Sequence, residues 1–169
     1  MSEVNTAVAK TPFFAVSLFK LAVMTFCTAG LYELYWFYKN WQAVRDREFS
    51  TINPTLRTAF ALFFCYRLFA KVRNLGLTVN APSSLAAGWL ATGWIVTGLI
   101  GLLPDPWSLI SMCTFLFLLP VQRVINQINQ ICAPGHAPND TFSRWNWVWI
   151  GIGLVLTIAA INMAIPNRP

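Results

Sequence analysis

The sequence predicts an all-α polytopic membrane protein: four transmembrane helices plus an in-plane amphipathic helix, in a single membrane domain over residues 1–169. Three observations predict it. Apolar residues make up 56% of the chain and charged residues 11%, against roughly 45–50% and a quarter in soluble domains. Thirteen Phe and eight Trp exceed what so few polar groups could screen from water. The apolar residues also gather in runs close to the ~20 residues that a helix needs to cross the hydrocarbon core. This composition excludes a disordered chain and argues against a cytosolic enzyme. Because the basic residues sit mainly between the runs, the net charge of +6 reads as a positive-inside signal, with no nucleic-acid partner implied.

Residues 21–38 form the first expected span, with Glu33 as its only charge, Lys20 and Lys39 at its ends, and Tyr35, Trp36, Tyr38 and Trp41 as an aromatic belt. The apolar residues 12–19 before it read as interfacial or as an extra helical turn. Segment 54–74 opens with a helix start, Asn53 as cap and Pro54 at the first position. Its uncharged run from Thr58 to Tyr66 is about half of what a span requires. Arg67, Lys71 and Asn74 then recur on one helical stripe, so the segment is expected to lie in the interface; five spans is the alternative.

Residues 85–103 carry no charge, and residues 107–124 follow after Pro104-Asp105-Pro106. So short a turn requires an antiparallel hairpin, with Asp105 as N-cap and Pro106 at the first helical position. The helix should continue past Pro120, kinked there, as an amphipathic extension. Val121, Val124, Ile125, Ile128 and Cys132 share one face, with Arg123, Asn126, Gln127 and Gln130 opposite. Residues 147–165 form the last span, with Trp145, Trp147 and Trp149 at its entrance.

Charge arithmetic favours four spans. If 54–74 crossed, the Lys and Arg residues would divide evenly between the two sides. If it lies flat, Lys39, Arg45, Arg47, Arg57, Arg67, Lys71, Arg73, Arg123 and Arg144 share one side, against Lys10, Lys20 and Arg168. That asymmetry is the one insertion produces. It makes loops 39–84 and 125–146 cytoplasmic and puts both termini outside.

Few residues stand out chemically. Glu33 is the one acid deep in a span, where a charge must pair or line a polar cavity. Arg67 is its expected partner, and a proton or cation relay is the other reading. Arg67, Lys71 and Arg73 are candidates for contact with anionic lipid headgroups or a partner. Ala87, Gly88, Ala91, Gly93, Thr97, Gly98 and Gly101 predict close helix packing. Asn126, Asn129, Gln130 and Asn146 could cap helices or recognise a partner's backbone. Cys132 and His136 lack the second pair of ligands that zinc needs. No catalytic, cofactor-binding or metal residue is expected.

The run Tyr32, Tyr35, Trp36, Phe37, Tyr38, Lys39 and Trp41 carries a Y-x-x-Y-W-F-Y-K-x-W signature. Over roughly residues 11–75 the chain resembles a family of small bacterial membrane proteins grouped as a domain of unknown function. Asn126, Asn129 and Trp145-Asn146-Trp147 give a looser echo. The resemblance implies the bacterial inner membrane and carries no activity with it. The expected role is a non-catalytic accessory or envelope-associated factor that binds lipid or a membrane-protein partner, or its own copies. The alternative is a small oligomeric transporter or channel using Glu33.

Overall fold

The computed structural model describes residues 10–104 and 107–164, without the side chains of 108 and 160–164. Among them are seven α-helices, a 3₁₀ helix at Trp107–Cys113 and no strand. The all-α expectation holds. One helical stretch, Leu109–Cys132, is long and apolar enough to cross a membrane.

The first expected span is not one helix. An extended segment, residues 10–17, leads into α1 (Leu18–Cys27), capped by the Ser17 hydroxyl accepting from the Lys20 N–H at 3.2 Å. Ala29 and Gly30 then take positive φ, 48° and 85°, and α2 (Leu31–Glu48) runs back. Glycine tolerates that conformation where other residues are strained. The fold-back is antiparallel: Phe14 meets Asn40 and Tyr35, the Pro12 carbonyl accepts from Arg47, and Lys10 reaches Asp46 at 2.6 Å. Lys10 and Asp46 were expected on opposite sides of a membrane, and the structure puts them in an ion pair. Lys20 also changes place, meeting the 139–141 loop. Lys10 and loop 39–84 therefore lie on the same side of the fold, which corrects their expected separation. A hydropathy window cannot register a chain reversal inside an apolar run.

Segment 54–74 becomes two helices, α3 (Pro54–Ala59) and α4 (Ala61–Thr78), broken at Phe60. The helix start is as expected: the Asn53 side chain accepts from the Leu56 N–H at 3.1 Å and Pro54 opens α3. On α4, Ala61, Cys65, Leu68, Phe69, Val72 and Gly76 are buried at helical spacing. Phe69 stacks on Phe37 of α2, while Gly76 packs against Val124 and Ile128. This helix therefore crosses beneath two others.

Expected span 85–103 is α5 (Ala87–Ile100), and 107–124 is the 3₁₀ helix continued by α6 (Phe115–Cys132), with Pro120 inside it. Small residues on α5 let the pair close as expected, Gly93 lying on the Phe117 ring and Gly101 on Ser111. The roles expected of Asp105 and Pro106 lie outside the described residues. α7 (Arg144–Ala164) matches 147–165, and Ser143 and Asn146 cap each other reciprocally at its start. It touches the α1–α2 turn at Gly153, where a Cβ would strike the Cys27 carbonyl and lie 2.6 Å from the Thr28 Cα.

Candidate functional site

Three arrangements carry the polar chemistry of the described residues. The first is a cradle of amides between α2 and α6 that holds the extended segment. The Phe13 N–H donates to Asn129 Oδ1 and the Phe13 carbonyl accepts from Asn129 Nδ2, both at 3.1 Å. The Phe14 N–H donates to Asn40 Oδ1 at 3.2 Å. Gln122 Nε2 donates to the carbonyls of Phe14 and Val16, and Asn126 Nδ2 donates to Val16 at 2.9 Å. Trp36 fixes the Gln122 oxygen from its indole N–H at 2.6 Å. Side-chain amides thus satisfy backbone groups that a neighbouring strand would otherwise pair.

Sequence reasoning named Asn126 and Asn129 as helix caps or as groups that recognise a partner's backbone. Asn129, Gln122 and Asn40 are fully buried. Gln122 and Asn40 were missed; an amide every three or four residues along α6 could have marked Gln122, whereas Asn40 has no amide at that spacing on α2.

The second arrangement is a buried knot around Glu33. Trp94 Nε1 donates to Oε2 and the Thr114 hydroxyl to Oε1, each at 2.7 Å. These come from α5 and from the start of α6, so one carboxylate ties three elements. The expected Glu33–Arg67 ion pair does not form. Arg67 is exposed and lies over the Phe64 ring at 5.7 Å. Arg67 follows the outward face of α4, away from the α5–α6 hairpin that encloses Glu33.

The other basic candidates separate. Lys71 Nζ contacts both Glu48 oxygens at 2.7 Å, and Arg73 reaches Asn74. Arg57 joins Arg67 instead, stacking over Trp41 at 4.3 Å and over Phe64. Around these two guanidinium groups Leu56, Phe60, Phe63 and Tyr66 are exposed. Burial among these rings and the positive charge of Arg67 both push the Arg57 guanidinium below its ordinary value.

The third is a groove of about 640 Å³ between the α1–α2 hairpin and α7, within the range of small-molecule sites. Met24, Thr28, Leu31 and Tyr32 line one part of it, with Trp145 and Trp149 across from them; Asn139, Thr141, Ser143 and Asn146 make a polar rim. Lys20, 3% exposed, also lines it and donates to Asn139 Oδ1 and to the Thr141 carbonyl, both at 2.7 Å. Asn139 is thereby occupied. His136 Nδ1 lies 2.9 Å from the Ala133 carbonyl, and no group of three metal-ligating side chains occurs among the described residues.

No family model, curated protein or solved structure matches this chain, and its role is read from its own geometry.

Proposed function

We propose that the chain is a multi-pass protein of the bacterial inner membrane with three crossings, at α5, the 3₁₀–α6 unit and α7, and an α1–α2 hairpin that enters only halfway. Its role on this reading is non-catalytic: it binds lipid, and a membrane-protein partner or further copies of itself. The carrying observation is the depth of the hairpin. Its turn meets α7 at Gly153, about 14 Å from the start of that helix and about 16 Å from its end at 1.5 Å per residue. Thr114, level with Glu33, is followed towards the α5–α6 turn by the 3₁₀ helix, roughly 14 Å at 2 Å per residue. Both measures put the hairpin tip near the middle of a hydrocarbon core about 30 Å thick.

Two further features support the reading. Past the hairpin tip the surface is apolar, with Leu99, Leu102, Trp107, Leu109, Val155 and Ile158 all exposed, a face that water would not tolerate over such an area. Every Lys and Arg of the described residues lies on the other side of that tip, a distribution that suits the positive-inside rule. The α3–α4 break presents Arg57 and Arg67 among exposed rings, which suits a helix pair resting at anionic headgroups. The aromatic signature falls within the hairpin, in keeping with the small bacterial membrane family it resembles. The transporter reading through Glu33 has less support, because both carboxylate oxygens are engaged inside the bundle.

Reporter fusions test this. Fusions before Lys10, after Phe49 and after Pro138 should all report cytoplasm, and one after Pro169 should report the outside. An N-terminal fusion reporting the outside would restore a full first span and sink the proposal.

A further inference from the structure

We propose that the groove between the α1–α2 hairpin and α7 is a binding site for one phospholipid, with the phosphate at Lys20 and an acyl chain along Met24, Leu31 and Trp149. The inference rests on the membrane reading above and names the ligand class of a site within it.

Shape and charge both point to an amphiphile. Contact at Gly153 brings α7 against the hairpin turn, so the groove is closed at its deep end. Towards the loop, Asn146 and Trp149 stand off from α1 and α2 and leave the space open. From Lys20 to Thr28 the floor runs about 12 Å along the helix axis. Polar groups gather at the Lys20 end and apolar ones towards the turn. That gradient has the sense of a lipid in the inner leaflet, headgroup at the loop and tail towards the midplane.

Among the described residues Lys20 is the only charged side chain lining the groove, and no carboxylate lines it. Asn139 and the Thr141 carbonyl take two of the three ammonium hydrogens and orient the group, leaving a third for an anion. Asp140 is close enough to act on the Lys20 charge but makes no ion pair with it among the described contacts. The Ser143 hydroxyl is engaged by Asn146 Oδ1 in the α7 cap, which leaves the Asn146 Nδ2 amide on the same rim for a further phosphate or glycerol oxygen. A buried ammonium beside aromatic walls suits a phosphate that brings its own apolar tail, since the headgroup neutralises the charge while the tail fills the space between Trp149 and Leu31.

The test is native mass spectrometry of the full chain in mild detergent. Phosphatidylglycerol is titrated in one arm, diacylglycerol in a second and inorganic phosphate in a third. The expected result is retention of a single phosphatidylglycerol, with neither of the other probes retained. Lys20→Met should weaken that retention about tenfold, the size of losing one charge-assisted hydrogen bond. Because Lys20 also ties down the 139–141 loop, Leu31→Trp is the second variant. It fills the apolar limb from a half-exposed position and should reduce retention similarly while leaving the melting temperature near wild type. Several lipids retained alike by wild type and Leu31→Trp would mark an unspecific annulus and overturn the proposal. So would equal retention of diacylglycerol, or binding of inorganic phosphate alone. If the reporter fusions behave as expected and retention does not, the lipid site fails and the membrane reading stands.

Discussion

An acid in an apolar bundle is safe only when its oxygens are engaged, and Glu33 is engaged by neutral donors, the Trp94 indole and the Thr114 hydroxyl. Removing one donor strands a buried acceptor, at a cost of about 1–3 kcal/mol. Trp94→Phe and Glu33→Ala should each lower thermal stability in detergent, and the double variant should lose less than the sum, with a coupling of roughly 0.5–3 kcal/mol. Glu33→Ala and Arg67→Ala should simply add; coupling between them would show that these side chains meet after all. Asp46 gives a second test at this scale. Hydrogen bonds from Lys10, then Arg45, hold its carboxyl below the ordinary aspartate value. A group depressed by folding stabilises above its unfolded pKa and loses that contribution as pH falls through the folded one. Protection of the Phe13 and Phe14 amides against hydrogen exchange, relative to the intrinsic rate at each pH, should therefore persist through the ordinary aspartate range and fall only under more acid conditions. Asp46→Asn should abolish that acid dependence, and its survival in the variant would assign it to another group.

At the scale of elements, packing at one glycine decides whether α7 and the hairpin fit. A Cβ at Gly153 meets backbone atoms, which cannot step aside, whereas at Gly151 it meets open space. Gly153→Ala should thus cost about 1–3 kcal/mol and Gly151→Ala little, read as melting temperatures; equal effects would separate α7 from the turn. The start of α3 was legible because capping is local, Asn53 and Pro54 acting within four residues of themselves; the break at Phe60 was not, and the Ser143–Asn146 cap starts α7 three residues before the expected span. The ends of α5 and its small-residue face were legible for a similar reason, since apolar runs and glycines report directly on packing. The break at Thr28-Ala29-Gly30 was not. It sits inside an apolar run, and Gly30 read equally well as a packing residue. The polar face of α6 came out as expected, with Arg123 and Gln130 exposed; the buried amides of Gln122 and Asn129 did not, because their partner is the bare backbone of Phe13–Val16, which leaves no pattern in side chains. Gln122 and Asn129 pair across more than a hundred residues, beyond the reach of any local rule.

For the whole molecule, the half-depth hairpin puts two native cysteines in contrasting places. Cys27 ends α1 at the turn, and Cys132 is exposed at the end of α6. In variants keeping one cysteine each, Cys132 should react with a membrane-impermeant maleimide in inside-out vesicles only, and Cys27 from neither side. Labelling of Cys27 from outside would mean that the hairpin reaches the far surface. The amide cradle also bears on the order of manufacture. Phe13 leaves the ribosome well before the side chain that clasps it, since Asn129 follows 116 positions later. At ~5–20 residues per second that is a wait of roughly 6–23 seconds. Throughout it the leading segment has no permanent berth and the hairpin has only half of its walls. On the proposed topology, the newborn chain must be kept from threading α1 straight across the bilayer in that interval. The clustered cations that follow α2, Arg45 and Arg47, reach the exit before any of those walls exist, and they are placed to hold that end on the ribosome's side until α6 arrives.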